Sequence, residues 1–163
     1  MTFHTTARVL VAIALVSATV DAQTVTVGGA VPQPYTLTDS VLGALPHVQV
    51  RAADHGQAEA TYDGVTLRDV VARAGAPTGP ALRGPALATY VVCTASDGYR
   101  VVFTLAELDS AFADRTIVVA TRKNGQPLGD RDGPVRIVVP GDQRPARWLR
   151  MLTSITVHTA DQP

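Results

Sequence analysis

Four short stretches of this chain carry side chains whose types and spacing could do chemistry. Asp54-His55-Gly56 sets a carboxylate beside an imidazole. Such a pair can serve as a general base, a metal ligand or a hydrogen-bonded turn, and Asp and Gly are themselves common turn formers. Asp97-Gly98-Tyr99-Arg100 places a phenol next to a guanidinium. A hydroxyl so placed can donate to an oxyanion or relay a proton, or it can pack at a strand start with its hydroxyl in water. Arg144, Arg147 and Arg150 surround Pro145 and Trp148. Forked guanidinium groups suit a phosphate or small oxyanion, and the same pattern also makes a basic patch beside a core tryptophan. The fourth stretch, NGQPLGDRDGPVRIVVPG from Asn124 to Gly141, has structural chemistry. It reads as a tight turn, then a strand from Val135 to Val139 with Arg136 alternating outward, then a Pro140-Gly141 loop. The sequence holds no phosphate-binding loop, dinucleotide glycine fingerprint, zinc motif or nucleophile elbow.

Composition narrows the classes. The 163 residues suggest one domain, and an apolar share of 46% is enough for a real core. A net charge of +0 argues against nucleic-acid binding. The cations are nearly all arginine, with Lys123 the one lysine. Cys93 is the single cysteine, so it makes no internal disulfide. It sits in a strand-like run, Tyr90 to Ala95, where a small buried hydrophobe is expected.

The elements that must position these groups follow from periodicity and turn residues. Strands are predicted at Thr24–Val27, Val48–Ala52, Thr89–Ala95, Tyr99–Phe103, Thr116–Thr121, Val135–Val139 and Ile155–His158. Asp63-Gly64, Asp97-Gly98 and Asn124-Gly125 read as turns. Thr38 caps a short helix to Leu45. Thr66 to Asp69 opens an amphipathic helix closed by Gly75, and Thr104 to Glu107 opens another through Phe112. Ala146 to Leu152 reads as a helical turn or an irregular segment. Strands and short helices mix without a βαβ period, which points to α+β.

The first residues read as a signal peptide, residues 1–22. Arg8 precedes the uninterrupted apolar run Val9–Val16, and Val20-Asp21-Ala22 offers small residues at a cleavage point. The run is too short to span a bilayer, and no later stretch is apolar and long enough. The expectation is a leader followed by a single domain, 23–163, that is periplasmic or secreted and has no membrane span.

Taken in order, SDGYRVVFTLAELD from Ser96, NGQPLGDRDGPVRIVVPG and ARWLRM from Ala146 resemble the molybdopterin-binding oxidoreductase domain of the sulfite oxidase family. YDGVTLRD from Tyr62 is similar to that family's G-V-x-L-x-x-L segment. The resemblance covers roughly residues 35 to 157. It implies an α+β fold of mixed β-sheets with short interspersed helices, and molybdopterin as cofactor. It also implies catalytic positions at Tyr99 and His55, with cofactor contacts from Asp54, Arg100, Arg144, Arg147 and Arg150. The family holds its molybdenum with a cysteine thiolate in the loop after the strand matching Val48–Ala53. Asp54-His55 stands there in this chain, so no metal ligand is assigned.

Two functions follow from the resemblance. One is a periplasmic oxidoreductase acting on a small oxyanion or oxide, with an electron-transfer partner. The other is a non-catalytic module whose cationic pocket takes a small anion, a pterin-like molecule or a periplasmic partner protein. A hydrolase built on Asp54 and His55 lacks a nucleophile or second carboxylate near them in sequence.

Overall fold

Apolar alternation in the sequence becomes two β-sheets. A computed structural model describes residues 24–54 and 56–160; the expected leader and His55 lie outside the described residues. The first sheet contains β1 (Val25–Gly29), β2 (Tyr35–Leu37), β5 (Thr89–Ala95), β6 (Arg100–Thr104) and β10 (Leu152–Thr159), in the order β2-β1-β10-β5-β6. Only β1 and β10 run parallel; the other neighbours are antiparallel. The second sheet contains β3 (His47–Ala52), β4 (Ala60–Thr66), β7 (Val118–Lys123) and β8 (Gln126–Pro127), with β9 (Arg136–Val138) also paired to β7.

Three short helices join the strands. α1 (Asp39–Ala44), α2 (Leu67–Arg73) and α3 (Leu105–Leu108) are each capped by the predicted threonine, Thr38, Thr66 and Thr104. At α3 both halves of a capping box form, so the first turn's orphan amides are satisfied. α3 is shorter than predicted. Asp109 leaves the helical conformation and its carboxylate accepts from the Gly79 and Ala111 amides at 2.7 and 3.0 Å. These bonds stabilise the charged form and hold its pKa below the usual carboxylate range, the Ala111 amide most of all.

Two expectations are corrected here. Asp63-Gly64 is not a turn, because β4 runs through it. The register slips between these residues against β7, and a Cβ on Gly64 would collide with the Val119 carbonyl. The glycine therefore serves close strand approach, the other use of glycine in a sheet. Arg136 does not point outward; it is fully buried. β9 has β7 on one edge, and on the other Ile137 donates to the Leu149 carbonyl at 2.7 Å. All three β9 residues are buried, and a strand covered on both faces shows no inside–outside alternation. The predicted Asn124-Gly125 hairpin does form, with both residues at positive φ, 51° and 77°.

Candidate functional site

Three chain segments meet around Arg136. The loop after β3 brings Asp54, the loop before β9 brings Asp132, and the segment before β10 brings Arg150. The Arg136 Nη2 donates to Asp54 Oδ2 at 3.0 Å, and both side chains are buried. Arg136 Nη1 lies 3.1 Å from Asp132 Oδ1, but not in hydrogen-bond geometry, so that attraction is Coulombic rather than directional. Arg150 Nε sits 3.2 Å from the same Asp132 oxygen, and its Nη2 is 3.6 Å from Asp54. Among the described residues, two guanidinium groups thus face two carboxylates, and their charges balance.

Burying a guanidinium demands such compensation. Aromatic faces add to it: the Arg136 Cζ lies 5.6 Å from the ring centres of both Tyr62 and Trp148. Those two rings meet edge to face at 5.7 Å. Trp148 is fixed by its indole N–H, which donates to the Val139 carbonyl at 2.8 Å. The Tyr62 hydroxyl and Arg136 Nε are also buried, and neither has a hydrogen-bond partner among the described residues.

A second centre forms around Arg147. Its Nε and Nη2 donate to the two Asp142 oxygens at 2.9 and 2.8 Å, and its Nη1 donates to Glu107 Oε1 at 2.8 Å. The guanidinium lies over the Phe103 ring at 5.1 Å. These contacts, led by the hydrogen bond to Asp142, push the arginine's proton affinity above its ordinary value. Tyr99 joins the same segment, because its hydroxyl donates to the Ala146 carbonyl at 2.8 Å. Its ring is half exposed, and Asp97 fixes its backbone by accepting from the Tyr99 amide.

The residues picked from sequence are therefore divided. Asp54 and Arg150 belong to the Arg136 cluster. Tyr99 and Arg147 belong to the 142–148 segment. Arg100 and Arg144 are exposed and make no ion pair among the described residues. His55 lies outside the described residues. Arg136 and Asp132 were missed as site residues. Alternation placed Arg136 outside, and only the count of apolar neighbours in VRIVV hinted that the strand is buried on both faces.

The family's metal chemistry can be tested against these donors. Cys93, the one thiol, is fully buried on β5, paired opposite Val101 and Ile155. Burial raises its proton affinity well above that of an ordinary thiol. At the loop where the resemblance expects a thiolate, the chain supplies the Asp54 carboxylate, already within 3.0 Å of a guanidinium. Among the described residues no group of three His, Cys, Asp or Glu side chains could hold a metal ion. The described donors do not fit a thiolate-held molybdenum ion. Nor is Arg147 free for a phosphate, since it already faces Asp142 and Glu107.

Comparison with known proteins agrees with the fold. Twenty-nine solved chains match. One is the sulfane dehydrogenase SoxCD from Paracoccus pantotrophus, with a TM-score of 0.64 and 17% identity. The match covers 85% of this chain but only 39% of that one, so this chain spans well under half of its neighbour's length. No curated protein matches by sequence. The model of the oxidoreductase molybdopterin-binding domain matches residues 13–163, and with its mixed sheets and short helices this chain belongs to that family.

Proposed function

We propose that the chain is an exported member of this family that works as a binding or accessory module rather than as a molybdenum redox enzyme. The observation that carries this reading is the buried Asp54–Arg136 pair at 3.0 Å, in the loop where the resemblance expects the metal's sulfur ligand. A metal ligand sets the electronics of its ion, and a carboxylate is a harder donor than a thiolate. Here the carboxylate is also engaged by a fixed internal cation. Exposed Arg100 and Arg144 leave positive charge for a small anion, a pterin-like molecule or a partner protein. Arg8 and the Val9–Val16 run support export. No helix among the described residues is long and apolar enough to cross a membrane.

Family membership favours a second reading, a molybdopterin-dependent oxidoreductase. In it, Tyr99 and His55 face the substrate, and Asp54 and the arginines hold the cofactor. Metal analysis separates the two. Protein purified from a molybdenum-replete host is expected to carry no molybdenum above background and to give no Mo(V) EPR signal on partial reduction. Stoichiometric molybdenum with that signal would overturn the module reading.

A further inference from the structure

A cavity of about 230 Å³ opens beside the start of α2. Thr66, Arg68 and Asp69 line it from the junction of β4 with α2, and Ser110, Arg115 and Thr116 from the link between α3 and β7. At about 30 Å³ per water molecule, it has room for roughly seven waters. Sites for organic molecules usually run from about 300 to 1,000 Å³, so this one is sized for a small ion with some of its hydration.

Two arginines and one aspartate line the cavity, which leaves its lining net positive. Each arginine is aimed by an acid that another group already engages. Arg68 Nε donates to Asp109 Oδ2 at a long 3.5 Å, while the Gly79 amide donates to the same oxygen at 2.7 Å. Arg115 Nη1 donates to Asp142 Oδ1 at 3.4 Å, where Arg147 Nη2 donates at 2.8 Å. Arg68 Nη1 also lies 3.5 Å from Asp69 Oδ1. Contacts of that length between partly exposed side chains are weak. They orient the two guanidinium groups without using up their donors, since each carries five N–H groups. Arg147 is the contrast, because its short bonds to Asp142 and Glu107 take all three of its nitrogens. Ser110 and Thr116 add hydroxyl groups that can donate to an oxyanion. Donors from two chain segments suit an anion with oxygens on several sides, whereas a planar carboxylate is met by one guanidinium fork.

We propose that this cavity binds a small tetrahedral oxyanion such as phosphate, held between Arg68 and Arg115 and hydrogen-bonded by Ser110 and Thr116. The inference stands apart from the reading of the Asp54–Arg136 pair, because none of its residues belongs to that cluster.

The test is calorimetric titration of the full chain with inorganic phosphate, and separately with acetate, at low ionic strength. Phosphate is expected to bind saturably, and acetate to bind about ten-fold more weakly or less. Arg115→Gln is expected to weaken phosphate binding about ten-fold, the loss of one charge-assisted hydrogen bond. Arg115 is exposed, and Asp142 is its one ion-pair partner among the described residues, so the fold does not depend on it. Arg68→Gln is expected to weaken binding similarly, with its urea midpoint measured alongside because Arg68 also touches Asp109. Two controls are Arg83→Gln, at an exposed position elsewhere, and Arg100→Gln, in the positive surface that the functional reading uses. Each is expected to change the affinity by less than about two-fold, since distant exposed charges are largely screened. Absence of saturable phosphate binding would overturn the proposal. So would acetate binding as tightly as phosphate, or a loss in either control as large as that in Arg115→Gln, because the attraction would then be diffuse surface charge.

Discussion

Arg136 and Arg147 sit in similar sequence settings, each in a short segment with prolines and apolar residues nearby, yet the fold gives them opposite circumstances. Arg136 is sealed inside, against Asp54 and Asp132 and between two aromatic rings. Arg147 is partly in water, held by a forked bond to Asp142 and a third contact to Glu107. The difference lies in what surrounds the backbone. Arg136 stands on a strand with chain on both edges, whereas Arg147 closes a single 3-10 turn from Pro145 at the surface. An ion pair inside a protein is costly to break because the remaining charge is stranded, while one near water is replaced by solvent.

That contrast can be broken experimentally. Arg136→Met is expected to cost about 3–5 kcal/mol in chemical denaturation, since it strands buried carboxylate charge. Adding Asp54→Asn is expected to recover part of the loss, and strictly additive effects would show that the pair is not coupled. Thr104→Ala comes next, at about 1 kcal/mol. It removes the hydroxyl that accepts from the Glu107 amide at 3.2 Å, and so the cap of α3, on which Glu107 holds Arg147 through its Oε1. Asp142→Asn is expected to cost under about 1 kcal/mol, and added salt is expected to shrink that cost while leaving the Arg136→Met loss almost unchanged. A salt-insensitive Asp142→Asn would mean that the Arg147 centre is as sealed as the inner one.

Asp109 sharpens the comparison through pH, because its charge is satisfied mainly by backbone amides. Its folded pKa is lowered, so its contribution is fully present above the unfolded value of about 3.9 and is lost as pH falls through the lower folded value. The stability gap between Asp109→Asn and the unaltered chain, measured by urea midpoint from pH 7 downward, is expected to narrow in that acid range. A gap constant with pH would remove the carboxylate's charge from the account.

Much of the frame was legible from local chemistry. Thr38, Thr66 and Thr104 cap helices because their hydroxyls reach amides three residues on, a contact that needs no distant partner. Asn124-Gly125 turns because both residues tolerate positive φ. Buried Cys93 also follows from its alternating strand. Asp63-Gly64 misled, since the same dipeptide serves a turn or a close strand crossing, and only β7 beside it decides which.

The site was legible only in part. The motif order singled out Asp54, Tyr99, Arg147 and Arg150, which the fold divides between two centres, and the expected cationic hollow is interleaved with Asp132, Asp142 and Glu107. Asp132 and Asp142 stand four and five positions before Arg136 and Arg147, a spacing that outside a helix does not mark partners, and Glu107 lies on a separate segment. By itself the sequence determined the helix caps, two of three predicted turns, seven of the ten described strands and the family, all of which rest on contacts within a few residues or on motif order. Only the tertiary structure decided that Arg136 lies inside and that Asp54 is its counter-ion, 82 positions away. Burial and charge pairing depend on which distant segments cover a side chain, and no local pattern records that.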